Sequence, residues 1–195
     1  TALAGASATA AALALAACTP GGGAGKKTLT PATDTSATDK SLIWSNWSLY
    51  IDVDDKGGRP TLERFQAEQG ITVEYREDYD DNDTYFAKVK DQLALGQDIG
   101  ADLVCPTQWM AARWIRLGYT HKFDKANIPN AGNILDTLAS PSFDPMREQS
   151  LTWQGIMGGF GWNTEKVPGG VRTLDDLFAP ANKGKIVVLS EMRDT

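Results

Sequence analysis

Aromatic and acidic residues recur in this sequence directly after predicted strands. The six candidates follow three such strands in turn: Trp47 and Tyr50, then Thr107 and Trp109, then Glu191 and Asp194. The two acids are three residues apart, so a helical turn would place both carboxylates on one face. Aromatic faces attract ammonium groups and cover methylenes, and carboxylates hold charged ends through charge-assisted hydrogen bonds. The combination predicts a binding site for a small, thin organic cation.

Four of the six candidates also have an ordinary structural interpretation. Acids at a helix N-terminus stabilise the helix dipole, which would account for Glu191 and Asp194. Trp47 and Tyr50 could be core aromatics, as we expect for Trp44 inside a strand. The binding interpretation is favoured because the aromatics and the acids occur together at strand-to-helix turns, where binding residues concentrate.

The candidates depend on a regular alternation of strands and helices that begins at Ser41. Strands are predicted over 42–44, 71–75 and 101–105, and helices over 61–70, 82–96 and 109–117. Thr61 and either Asn82 or Asp83 are expected to cap the first two helices, and each helix ends at a glycine. This βαβαβα order predicts the α/β class, with a parallel sheet whose ligands bind beyond the carboxyl ends of the strands.

The same pattern restarts near the end of the chain, as a second lobe would. A glycine-rich apolar stretch covers residues 155–162, a short helix is predicted from Thr173 to Phe178, and a strand from Ile186 to Leu189. Three prolines between residues 120 and 150 prevent long helices in the intervening region.

The N-terminal segment has the composition of an export signal. Residues 2–17 are almost all alanine, leucine and small residues, and they lead into Leu-Ala-Ala-Cys at Cys18, which is typical of a lipobox. The run is shorter than the roughly 20 apolar residues that span a bilayer. We therefore predict the end of a signal peptide over 1–18, a lipid on Cys18 and a flexible tether over 19–40. The chain is expected to be cut at both ends.

Charge and composition exclude several classes of function. The net charge of −6 opposes nucleic-acid binding, which needs clustered Lys and Arg. His121 is the single histidine and forms no recognisable dyad, and acidic loops near 52–63 and 78–89 fail the calcium-loop pattern. We predict no catalytic residue, no metal site and no cofactor.

Several segments in order resemble the spermidine/putrescine-binding proteins of ABC importers. They are WSNWSLYID, TLERFQAEQGITVEY, DNDTYFAKVKDQLALGQDIGADLVCPTQWMAARWIRLGY, DKANIPNAGNIL and GKIVVLSEMRDT. The resemblance runs from about Leu42 to Thr195. It implies the type II periplasmic-binding-protein fold, in which two α/β lobes close on a solute. On this basis 42–153 would be most of lobe one and 154–195 the start of lobe two.

The resemblance also assigns roles to the candidates. Trp47 and Tyr50 match residues that contact the polyamine, and Thr107 and Trp109 match a hydroxyl and an aromatic of the site. The carboxylates that hold an amine are matched by the pair in SEMRD, Glu191 and Asp194. Trp109 stands where a tyrosine is common in the family. The implied partners are a polyamine, the permease of an ABC importer and, through the lipid, the membrane, with the receptor an exported monomer.

Other functions are compatible with the same sequence. The fold could bind a metal complex or a carbohydrate instead of an amine. An extracellular hydrolase would need two cooperating carboxylates, and the 25 acidic residues always permit some pair. A purely structural surface lipoprotein would have no cleft and no ligand.

Overall fold

The computed structural model of the chain describes residues 29–30, 32–191 and 193. The predicted lipid-bearing Cys18, the rest of the predicted signal and residues 19–28 and 31 of the predicted tether lie outside the described residues, as does Asp194. Within the described part of the chain, no helix combines the length and the apolar character needed to cross a membrane.

Three parallel strands form the sheet, in the order β2-β1-β3. They are β1 (Ser41–Ser45), β2 (Thr72–Arg76) and β3 (Leu103–Val104). Trp44 on the central strand pairs with Tyr75 on one side and Leu103 on the other. Because the chain crosses from β2 to the far side of β1, the crevice between β1 and β3 is a topological switch point, where ligands of open α/β sheets bind. The predicted α/β class is confirmed.

Helices follow each strand, and shorter helical segments follow the third helix. The helices are α1 (Pro60–Gln69), α2 (Asn82–Leu95), α3 (Gln108–Leu117), α4 (Asp136–Ala139) and α5 (Leu174–Leu177). The 3-10 segments are Lys125–Asn127, Pro129–Asn133 and Pro180–Asn182. Glycines at the ends of α2 and α3 have φ of 69° and 77°, a left-handed conformation that suits glycine and stops a helix.

Two predicted helix caps were wrong. Thr61 lies inside α1, which begins at Pro60 because proline fixes a helical φ without needing its absent N–H; the Thr61 backbone N–H donates to Asp52. α2 is capped by Asp81, whose extended backbone lets its side chain accept from Thr84 N–H at 2.7 Å. Asn82 is instead the first residue of α2, and its side chain does not cap the helix.

The predicted third strand is shorter than expected. The Asp102 carboxylate accepts from Ile43 N–H at 2.8 Å, in the place where a neighbouring strand would offer a carbonyl. The Asp102 backbone N–H still donates to Ile43 O, and Cys105 N–H donates to Ser45 O, so the two chains stay together at both ends of β3.

The predicted strand at Ile186–Leu189 was wrong. These residues form no ladder with any described residue, and Val187 is 94% exposed. A run of apolar residues becomes a strand only when a neighbour accepts and donates its backbone hydrogen bonds. The short helix predicted next to it is confirmed as α5, which Thr173 begins with a reciprocal capping box to Asp176.

The core lies between α2, α3 and the loop that precedes α2. Its six buried members are Tyr79, Tyr85, Phe86, Val89, Met110 and Trp114. Phe86 and Val89 belong to the apolar stripe predicted for α2, and Leu93 packs at its edge. Burial of each such side chain contributes about 1.5–3 kcal/mol. The loops after β1 and β3 pack against this core, and the candidate site lies on those loops.

Candidate functional site

The first candidate loop leaves β1 and folds back on itself. Asn46 is fully buried, and its side-chain Oδ1 accepts from Trp47 N–H at 2.9 Å. Leu49 has φ of 64°, a strained conformation for a bulky residue, and it is 85% exposed. This turn brings the Tyr50 ring over Trp47, with centroids 5.9 Å apart and planes 28° apart. The loop therefore presents a stacked aromatic pair.

Trp47 is also part of the scaffold. Its indole Nε1 donates to Cys105 O at 2.7 Å, which joins the loop after β1 to the loop after β3. Its ring lies 4.8 Å from that of Tyr79. We call the two loops, residues 46–50 and 105–109, the carboxyl edge.

The second candidate loop places Thr107 and Trp109 at the start of α3. Both are half-buried, and the Trp109 ring packs against the core. The Thr107 hydroxyl and the Trp109 indole N–H are buried and have no hydrogen-bond partner among the described residues. The guanidinium of Arg193 lies 5.1 Å from the Trp109 ring centroid, so a cation already occupies one face of this aromatic.

Glu191 is buried at 8% exposure against the N-terminus of α2. Its Oε1 accepts from the Asn82 backbone N–H at 3.0 Å, and its Oε2 accepts from Asn82 Nδ2 at 2.7 Å. A carboxylate at a helix N-terminus is favoured by the helix dipole. The structure thus brings Glu191 to the start of α2, 109 residues after its partner in the chain, and Asn82 is in turn bonded to Thr107 of the carboxyl edge.

Sequence reasoning missed Tyr79 and the role of Asn82. The Tyr79 hydroxyl donates to Asn82 Oδ1 at 2.7 Å, and Thr107 N–H donates to the same oxygen at 3.0 Å. Burial first, and the Glu191 charge second, raise the pKa of Tyr79, so its hydroxyl stays protonated and can donate. The Asn82 side chain is thus a hub that bonds Tyr79, Thr107 and Glu191. No local pattern in the sequence identifies this hub, because only Tyr79 lies near Asn82.

Trp153 links the carboxyl edge to a distant part of the chain. Its indole N–H donates to Tyr50 O at 3.1 Å, and its ring packs edge-on against Trp44 with centroids 4.8 Å apart.

The structure brings five of the six predicted residues to connected positions. Asp194 is not among the described residues, so its place relative to Glu191 stays a prediction.

The clefts found in the described chain lie apart from the candidate residues. Two open clefts of about 250 and 370 Å³ are lined by residues between 123 and 155, and by none of the six candidates. Among residues 29–30, 32–191 and 193, no group of three or more His, Cys, Asp or Glu could hold a metal ion. Cys105, the described cysteine, is half-buried, and burial raises the pKa of its thiol to about 11, which suppresses the reactive thiolate.

Comparison with known proteins points to one family. The family model described as bacterial extracellular solute-binding protein matches residues 60–195. The spermidine/putrescine-binding periplasmic protein of Escherichia coli is 28% identical over 157 residues, 80% of this chain and 42% of that protein. The putrescine-binding periplasmic protein SpuD of Pseudomonas aeruginosa is 33% identical over 159 residues, 77% of this chain and 40% of that protein. The chain spans about two fifths of the length of these relatives.

Proposed function

This chain belongs to the bacterial extracellular solute-binding protein family, and we propose that it captures a linear polyamine and delivers it to an ABC importer. Members of this family are solute-binding proteins, not a class of enzyme, and relatives named for putrescine and spermidine binding are periplasmic. The observation that carries the amine assignment is the burial of the Glu191 carboxylate against Asn82, which also bonds Thr107 of the carboxyl edge that presents the stacked Trp47 and Tyr50.

The chemistry of the carboxyl edge suits an aliphatic chain with charged ends. In the proposal, Trp47, Tyr50 and Trp109 cover the methylenes and attract the ammonium groups through their ring faces. The buried Thr107 hydroxyl oxygen accepts a hydrogen bond from an ammonium N–H. The Trp109 indole can only donate, so its ring face, and not its N–H, would contact the amine.

Glu191 and Asp194 are proposed to hold one ammonium end. Glu191 is buried, and Asn82 supplies it with two hydrogen bonds from neutral donor groups. An ammonium group would add a charge-assisted hydrogen bond, which is roughly twice as strong as a neutral one. Asp194, three residues later, would contribute the second carboxylate if residues 191–194 form a helical turn.

The proposed receptor has two lobes and a lipid anchor. Residues 42–153 would form most of lobe one and 154–195 the start of lobe two, so the contact between Asn82 and Glu191 would join the lobes. Cys18 would carry the lipid and residues 19–40 would form the tether, which places a monomeric receptor outside the cytoplasm beside its permease. The lipobox sequence supports the anchor, and the periplasmic relatives support the location.

Isothermal titration with putrescine and spermidine tests the function. The sample is the full-length protein, produced with Cys18→Ser so that it carries no lipid. We expect saturable binding of at least one amine and a loss of about ten- to hundredfold in affinity in Glu191→Gln, because a hydrogen bond to a charged group is worth about 1.5–3 kcal/mol.

Glu165→Gln provides the matched control for the lost charge. Glu165 is exposed, and no side-chain contact of Glu165 is recorded among the described residues, so its variant should bind within about twofold of the parent protein. A folded parent protein that binds neither amine contradicts the proposed function. Heat from a carbohydrate or a metal complex in the same assay would then reassign the ligand.

A further inference from the structure

Asn82 connects the carboxyl edge to Glu191. Its side chain is fully buried, and both its Oδ1 and its Nδ2 are hydrogen-bonded. Oδ1 accepts from the Tyr79 hydroxyl and from Thr107 N–H, at 2.7 and 3.0 Å. Nδ2 and the backbone N–H donate to the two oxygens of Glu191, at 2.7 and 3.0 Å.

The orientation of the Asn82 amide follows from its neighbours. Thr107 N–H is a donor, so the atom that faces it must be the acceptor Oδ1. The NH₂ group is then directed at Glu191, whose carboxylate can only accept. An inverted amide would place its NH₂ group against the Thr107 N–H donor and its Oδ1 against the Glu191 Oε2 acceptor. The network therefore selects one orientation, in which Asn82 always offers a donor to Glu191.

We infer that Asn82 is a positioning residue that holds the Glu191 carboxylate at the carboxyl edge and couples it to the Thr107 loop. The inference rests on the proposed function, since it assigns to Asn82 the placement of a carboxylate that binds an amine. Two hydrogen bonds to one carboxylate restrict both its position and the plane of its oxygens. Both donors belong to neutral groups, so they orient Glu191 without placing a positive charge beside it.

The same hub explains why the separate loops act together. Tyr79 contacts Trp47 through its ring and Asn82 through its hydroxyl. A shift of Asn82 would therefore move Glu191, Thr107 and Tyr79 together, and Tyr79 would carry the movement to Trp47. A preorganised site loses less conformational entropy when the ligand binds, so such positioning contributes to affinity without any contact between Asn82 and the ligand.

The test is a double-mutant cycle in polyamine affinity. Asn82→Ser keeps a polar group at the start of α2, but its shorter hydroxyl leaves the contact with Glu191 Oε2 unmade. We expect Asn82→Ser to weaken binding of the preferred amine about ten- to hundredfold. In a Glu191→Ala background, where no carboxylate remains to be positioned, the same substitution should change affinity by about threefold or less.

Val89→Ala is the control for a purely structural effect. It removes buried core methyl groups and leaves both bonds from Asn82 to Glu191, so stability should fall while affinity stays within about threefold of wild type. Binding by Asn82→Ser equal to wild type overturns the inference, as does a loss that persists undiminished in the Glu191→Ala background. Absence of amine binding by the folded wild-type protein overturns the proposed function, and the inference with it.

Discussion

Substitution of Trp47 separates its role in the scaffold from its role in binding. Trp47→Phe retains an aromatic face toward Tyr50 and Tyr79, but it removes the indole N–H that donates to Cys105 O at 2.7 Å. Loss of that bond costs about 0.5–1.5 kcal/mol, and the smaller ring forfeits about 1 kcal/mol of burial. We therefore expect Trp47→Phe to lower the free energy of unfolding by about 1.5–2.5 kcal/mol.

Trp47→Ala should cost more, because it also removes both ring contacts. Each aromatic pair is worth about 0.5–1.5 kcal/mol, and truncation of a large buried aromatic to alanine costs about 3–5 kcal/mol in total. Trp47 is only half-buried, so we expect about 3 kcal/mol. A loss of amine binding in Trp47→Ala could therefore come from the lost ligand contact or from the destabilised loop. Trp47→Phe separates the two effects, because it should reduce amine affinity by about threefold at most.

Urea unfolding of the unliganded protein, followed by far-UV circular dichroism, measures these differences. Trp162→Phe is the matched control, because Trp162 is 42% exposed and no hydrogen bond of its indole is recorded among the described residues. It should shift the free energy of unfolding by about 0.5 kcal/mol or less. If Trp47→Phe is as stable as Trp162→Phe, the bond to Cys105 contributes nothing and the proposed link between the two loops is wrong.

Three further expectations concern the helix start, the thiol and the stacked guanidinium. Asp81→Ala should lower the free energy of unfolding by about 1 kcal/mol in urea titration, because the cap of α2 is lost. Cys105 should react slowly with a thiol reagent at pH 8, because burial raises its thiol pKa to about 11. The folded state then keeps a proton that the unfolded state releases above about pH 9, so the Cys105 contribution to stability should fall as the pH rises from about 9 to about 11. Arg193→Ala should strengthen amine binding by about two- to fivefold in calorimetry, because the guanidinium over Trp109 no longer competes for the ring face.

Two of these expectations have a control residue of the same type, and the thiol expectation has a refuting rate. Asp80→Ala removes an exposed acid that caps nothing and should leave stability unchanged, so an equal loss in both variants would contradict the role of the cap. Arg172→Ala removes an exposed arginine at the start of the α5 region and should leave amine affinity unchanged. Labelling of Cys105 at the rate of free cysteine, measured in Cys18→Ser, would show that the thiol is accessible and ionised.

Local signals in the sequence were sufficient to predict the elements of the first α/β region. The apolar spacing of Phe86 and Val89 predicts one face of α2, and the structure buries both side chains. Glycines after α2 and α3 mark the helix ends, because few other residues adopt the left-handed conformation found there. Each of these signals acts over one or two turns of chain, so the sequence contains it in full.

The residue types at the strand ends were also visible in the sequence. Trp47 and Thr107 follow β1 and β3, and the carboxyl ends of parallel strands lie at one edge of a sheet. Their proximity could therefore be expected once the βαβ pattern was recognised. The sequence made Glu191 a candidate, but no rule of spacing connects it to α2.

Only the tertiary structure decided the strand order, the hub at Asn82 and the state of Ile186–Leu189. Asn82 joins residues that lie 3, 25 and 109 positions away, and hydrogen bonds over such separations leave no period in the sequence. Ile186–Leu189 has the composition of a strand, but a strand exists only where another segment completes its backbone hydrogen bonds. Local pattern determines what a segment can form, and the partners that the fold supplies determine what it does form.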